Sequence, residues 1–181
     1  MTGLPPDREL HAETTVHATP DRVWSVLSDP ATMRTASPEL FATSRTRRGP
    51  LRVGETFIGW NRNGLVVWPT VNKVTEVEPG RKLAWFTRTS GATWTYTLTG
   101  DGTDTIVHES RRIDQAVSRT AKVFAAVFLG GLAKHADELD EHVAETLEAI
   151  RQMSESGGKL GSRHRLRRAV TATSLNRART S

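Results

Sequence analysis

The residues best suited to chemistry in this chain lie in one stretch, GATWTYTLTGDGTDTIVHES, residues 91–110. Tyr96 and Glu109 put a phenol and a carboxyl on two runs that read as adjacent strands, and such a pair can hold or pass a proton. Alternation places Trp94, Tyr96 and Leu98 on one strand face and Thr93, Thr95, Thr97 and Thr99 on the other. A solid core takes aliphatic side chains at less cost, whereas large rigid rings can edge a void. Tyr96 needs a partner for its hydroxyl if buried: Glu109, a ligand oxygen or water. Glu109 shares a face with Val107 and Arg111, opposite Ile106 and His108. A buried glutamate must be paired or protonated, and Arg111 is at hand as a partner. The alternative is a solvated strand carboxylate.

Other chemistries find little support. The chain has no cysteine, which excludes disulfides, thiolate metal sites and cysteine nucleophiles. His135 and His142 are seven residues apart, roughly 10.5 Å along a helix, too far to share a metal. Gly100–Gly102 reads as a hairpin turn and Gly130–Gly131 lacks a phosphate-loop pattern. No serine sits in a nucleophile-elbow context. His108 and Glu109 alternate to opposite faces and cannot act on one atom. Neither a metal nor a cofactor is expected.

These residues must be positioned by a chain of 181 residues, long enough for one domain with an independent core. Residues 1–9 read as a disordered lead-in, 10–156 as the folded domain and 157–181 as a disordered basic tail. Lys159, Arg163, Arg165, Arg167, Arg168, Arg177 and Arg179 all follow the last acidic residue, Glu155. Setting those seven aside leaves 18 of the 25 basic residues against 20 acidic ones, so the basicity belongs to the tail. The start lacks a secretory pattern and no window approaches the ~18 apolar residues of a membrane span. The expectation is a soluble, cytoplasmic protein.

Residues 9–18 fit a strand, and TPDRVWSVLSD a short helix with Thr19 as N-cap and Pro20 at its first position. Val23, Trp24 and Leu27 share a face, with Trp24 read as core. A second helical turn follows Asp29-Pro30 and stops at Pro38. Strands are predicted over 40–47, 54–62, 66–78, 82–89, 92–99 and 104–113. Asn63-Gly64 predicts a type I′ hairpin turn, and Pro69 an edge position or bulge. A long C-terminal helix carries the stripe Leu132, Ala136, Leu139, Val143, Leu147 and Ile150, with Gly130–Gly131 as a kink, a helix junction or space for a ligand.

In that order of elements, VHATPDRVWSVLSDP, VGETFIGWN, VTEVEPGRKLAWFT and TWTYTLTGDGTDTIVHES resemble the START-like (SRPBCC) superfamily, in its polyketide cyclase/dehydrase and lipid-transport branch. The resemblance covers about residues 10–153. It implies an α+β helix-grip fold, a curved antiparallel sheet wrapped around the long C-terminal helix with a cavity between them. It further implies apolar small-molecule ligands, with cyclisation or dehydration of polyketides in some members, and it turns the Val107/Glu109 face inward.

Against such a cavity the candidate lining residues on strands are Trp60, Trp68, Phe86, Trp94, Tyr96, Leu98, Glu109 and Arg111, and Trp85 could join them. Phe124 and Phe128 offer a helix wall or simply core. Three functions follow: a binding and possibly transport module for a hydrophobic or amphipathic small molecule, an enzyme using Tyr96 and Glu109 as acid–base residues in the same cavity, or an interaction protein acting through its tail. Residues 157–181 could meet nucleic acid or an anionic membrane, although they contain no aromatic residue to stack on bases.

Overall fold

Seven runs of alternating residues, each bounded by a turn, assemble into one antiparallel sheet. The computed structural model describes residues 9–100, 102–114 and 141–156. The strands are β1 (Leu10–Val16), β2 (Leu40–Arg45), β3 (Thr56–Asn63), β4 (Val66–Glu78), β5 (Lys82–Thr87), β6 (Ala92–Gly100) and β7 (Thr105–Ile113). Their order is β1-β7-β6-β5-β4-β3-β2, so each strand from β2 to β7 lies beside its sequence neighbour and β1 closes against β7. Two short helices, α1 (Pro20–Leu27) and α2 (Pro30–Ala36), follow β1, and a helix over residues 141–156 (α3) packs against the curved sheet. This is the helix-grip α+β architecture.

Local signals account for the helix starts. Thr19 caps α1 by accepting from the Arg22 N–H at 3.3 Å, and Pro20 occupies a position where its missing N–H costs nothing. Asp29 repeats the device for α2, accepting from the Ala31 N–H at 2.8 Å ahead of Pro30. Val23, Val26 and Leu27 are buried, and Trp24 packs on the core only partly covered. On α3, Val143, Leu147 and Ile150 are buried as their spacing predicts. The lead-in, the tail, Leu132, Ala136, Leu139, Phe124, Phe128, Gly130–Gly131 and His135 lie outside the described residues. Among the described residues no helix is long and apolar enough to cross a membrane.

One turn differs from expectation. Asn63 is still in β3, paired with Val66, and the two-residue loop is Gly64–Leu65. Gly64 has φ +58° while no described non-glycine residue has positive φ, the requirement of a type II′ turn, with glycine first, instead of type I′. Pro69 pairs with Trp60 on β3, but the pairing of β4 with β5 begins only at Asn72. The proline therefore sits where its missing donor breaks no ladder.

The core gathers on one face, here called inner. Val16, Val23, Leu27, Val74, Leu83, Leu98, Val107, Leu147 and Ile150 form a single cluster between the sheet, α1 and α3. Register then sorts every strand residue. Leu83, Tyr96, Glu109 and Ala12 lie in one cross-strand row, and Val74, Trp85, Trp94, Arg111 and Leu10 in the next.

Candidate functional site

At the centre of the inner face, Tyr96 on β6 stands directly opposite Glu109 on β7. Both side chains are buried, at 2% exposure each. The Tyr96 hydroxyl donates to Glu109 Oε1 at 2.5 Å. Glu109 is thus paired with Tyr96 and not with Arg111, the partner that proximity along the strand suggested. Arg111 instead holds its guanidinium 5.8 Å from the centre of the Trp94 ring, a cation–π arrangement. Trp85, opposite Trp94 on β5, stacks on Tyr96 with ring centres 5.6 Å apart. The carboxyl thus meets the Tyr96 phenol directly, with Trp85 stacked on that phenol and Trp94 in the next cross-strand row.

Desolvation governs the charge of this pair. Burial pushes the Glu109 carboxyl up to about 8, with the Tyr96 hydrogen bond acting in the opposite direction. Burial likewise pushes the Tyr96 phenol well above its ordinary value, and the neighbouring Glu109 adds to that rise. At neutral pH the pair is held mainly as neutral phenol and neutral acid. With Oε1 accepting from Tyr96, the carboxyl proton belongs on Oε2, which is buried and meets no partner among the described residues. A buried carboxylic O–H beside the Tyr96 ring can donate a hydrogen bond or a proton to an acceptor placed there.

The structure sorts the predicted lining residues into two sets. Trp68, Trp94, Tyr96, Leu98, Glu109 and Arg111 fall on the inner face, as does Trp85. Trp60 and Phe86 do not. Trp60 pairs with Pro69 in the set opposite Asn61 and Trp68, and its Nε1 donates to Ser44 Oγ on β2 at 3.0 Å. Phe86 pairs with Thr93, on the face away from Tyr96. Both are outer-face residues because alternation inverts at each step along a strand, whatever the size of the side chain. His108 is also outer, its ring 5.5 Å from that of His11.

A group of inner-face residues escaped the sequence reading: Asn61, Thr70, Asn72 and Thr87, joined by side-chain hydrogen bonds across β3, β4 and β5. Asparagine is depleted in strands, so two of them at inward phase are the signal that could have revealed the group. Elsewhere a cleft of about 540 Å³ opens between the α1–α2 junction and the β2–β3 connection, lined by Asp29, Arg45, Arg47 and Arg48 among others. Neither Tyr96 nor Glu109 borders it. Arg45 is already committed there, in a two-pronged ion pair with Glu55 at 2.7 and 3.0 Å.

With fold and site in view, comparison with known proteins is decisive at the family level. Residues 7–148 match the family model described as polyketide cyclase / dehydrase and lipid transport. The chain belongs to that family. Among solved structures it is similar to a protein from Thermus thermophilus, with 14% identity over 83% of this chain and 99% of that one, at a TM-score of 0.61. A polyketide-cyclase-like protein from Corynebacterium glutamicum is 21% identical over 80% and 90% of the two chains, at 0.57. The Zhui aromatase/cyclase from a Streptomyces species is 16% identical over 82% and 93%, at 0.61. At these identities the likeness concerns the fold. No curated protein matches the chain in sequence. Family membership makes this a hydrophobic-ligand-binding fold.

Proposed function

We propose that the protein binds a lipophilic small molecule between the inner face of the sheet and the C-terminal helical region, acting in the cytoplasm as a binding or transport module. The observation that carries this reading is the Glu109 carboxyl, 2% exposed, with one oxygen engaged by Tyr96 and the other unpartnered among the described residues. A buried polar atom left unmatched costs about 1–3 kcal/mol. Such a cost is offset when a ligand supplies the missing acceptor. Trp85, Trp94 and Leu98 provide apolar contact around it, and Glu109 provides orientation. The ligand's polar group at this point is then a hydrogen-bond acceptor such as a carbonyl, ether or hydroxyl oxygen.

Solvent extraction of the purified protein followed by mass spectrometry tests the proposal. The expected outcome is an apolar compound bearing an oxygen function, recovered in proportion to protein. Failure to recover any such compound, together with failure to bind panels of sterols, fatty acids and polycyclic phenols, would defeat it.

The same carboxyl supports a second reading, an enzyme of the cyclase or dehydrase kind, since an acid held neutral at physiological pH is poised to protonate a leaving or developing oxygen. Glu109→Gln separates the two. An enzyme loses turnover of the recovered compound while keeping affinity, whereas a binder shows only a change in affinity.

A further inference from the structure

Four inner-face side chains form a chain of hydrogen bonds in which every link fixes the next. Thr87 Oγ1 donates to Asn72 Oδ1 at 2.7 Å. The Asn72 amide nitrogen donates to the Thr70 carbonyl and to Thr70 Oγ1, both at 3.2 Å. Thr70 Oγ1 spends its single proton on the Gly59 carbonyl at 3.3 Å, leaving its lone pairs to accept. The Asn61 amide nitrogen donates to Thr70 Oγ1 at 3.2 Å and to the Gly59 carbonyl at 3.4 Å.

Backbone carbonyls settle which way both amides face. A carbonyl can only accept, so turning either amide over would set oxygen against oxygen at Thr70 or Gly59. With the donors of Asn61, Thr70, Asn72 and Thr87 all spent, the one group left over is Asn61 Oδ1, to which no described residue donates. Asn61 is buried, at 9% exposure, and its amide oxygen is presented in one orientation only. Gly59 makes room for the arrangement, because a Cβ there would lie 2.7 Å from Thr70 Oγ1 and 3.4 Å from Asn72 Nδ2.

We propose that Asn61 Oδ1 is an acceptor subsite of the interior, taking a hydroxyl or N–H of the bound molecule at a point remote from Glu109. This rests on the reading that the interior holds a small molecule. Glu109 is on β7 and Asn61 on β3, four strands apart in the sheet order and about eight residues apart along the strand direction, which is roughly 30 Å in a flat sheet. Trp94 on β6 and Trp85 on β5 lie on the strands between them. The ligand class is therefore an apolar molecule that carries a hydrogen-bond donor where it meets β3, without having to reach Glu109. A ligand lacking the donor gains no hydrogen bond from this oxygen, which makes Asn61 a specificity residue as well as a contact.

The probes are the bisphenol diethylstilbestrol and its dimethyl ether, which keeps both acceptors and cannot donate. Binding is read from quenching of tryptophan fluorescence. Wild type is expected to favour the bisphenol by about 3- to 10-fold, the worth of one hydrogen bond. Asn61→Leu should erase the preference, the two probes then binding alike. Asn61→Ala removes the same amide oxygen with a smaller side chain and should erase the preference likewise. If Asn61→Leu fails to fold, Asn61→Ala decides: an undiminished preference there overturns the subsite, a reduced one supports it. Equal binding of both probes by wild type, or a preference that survives Asn61→Leu, also overturns it. If wild type binds neither probe, it is the small-molecule reading of the interior that falls, and the subsite with it.

Discussion

A glutamate buried against Tyr96 carries its environment into the pH dependence of stability. The unfolded chain holds the Glu109 proton only up to its ordinary value of 4.5, whereas the folded protein holds it to about 8. Between those values the native state binds more protons than the unfolded state, so raising the pH favours unfolding. The contribution is fully present below the unfolded value and is lost as pH rises through the folded one. Urea midpoints measured from about pH 5 to about pH 9 should therefore decline for wild type and flatten in Glu109→Gln, a neutral isostere. Tyr96→Phe should move the decline to higher pH, because the phenol's hydrogen bond is what favours the ionised form. A wild-type midpoint that stays level across this range would mean that Glu109 is ionised in the folded protein, and the proton-donor role would be lost. From sequence, Tyr96 and Glu109 were legible as a candidate pair because both sit at matching phase on one hairpin. Their partnership was one of the options left open, and Arg111, the other, turns its guanidinium to the Trp94 ring, since strand proximity says nothing of where a long side chain turns.

At the scale of elements, alternation was enough to find all seven strands, since period-two patterning is a local property bounded by turns. What it could not supply was the phase relation between strands. Trp60 and Trp68 look equivalent in sequence, yet pairing Trp60 with Pro69 sends them to opposite faces. Bulges add to the difficulty: the register shift between Val74 and Glu76 lets Val74 and Val77 both point inward although they are three apart. The Asn61–Thr87 chain left only its strand asparagines as a signal in sequence, because its connections are a product of three strands in register. Turns are where local sequence and register meet, and the β6–β7 hairpin shows how tightly. Gly100 pairs with Thr105, and a Cβ on Gly100 would come within 2.3 Å of the Asp104 carbonyl oxygen. Backbone cannot yield there as the end of a flexible side chain would. Gly100→Ala is expected to destabilise by about 1–3 kcal/mol by distorting the hairpin that aligns Tyr96 with Glu109. Chemical denaturation checks this; a loss of only a few tenths would show that the turn is more pliable than its contacts imply.

Over the whole molecule, the inner face divides its labour between its two ends. Val16, Leu98 and Val107 on the sheet meet Val23 and Leu27 of α1 and Leu147 and Ile150 of α3 in a dry, aliphatic end that holds the fold. Arg22 of α1 strengthens that end by donating to the Met153 and Ser154 carbonyls of α3 at 2.9 and 3.3 Å. The other end carries Trp94, Arg111, Thr87, Asn72 and Asn61, groups that a stability-only design would replace with aliphatics. A second division was visible in the sequence alone, that of charge. All seven basic residues of 157–181 are unopposed by acid, while the remainder has 18 basic against 20 acidic residues. Near an anionic bilayer each such cation contributes about 1 kcal/mol, falling away with added salt. Deleting residues 157–181 should thus abolish salt-sensitive binding to phosphatidylserine vesicles and to duplex DNA, while leaving affinity for a lipophilic probe as it was. Cosedimentation across a salt series, run beside the fluorescence titration, reads both quantities on the same preparations. If the shortened protein holds vesicles or DNA as tightly as the full chain, contact is made by the folded domain, and the arginines around the Arg45–Arg48 cleft become the surface to mutate.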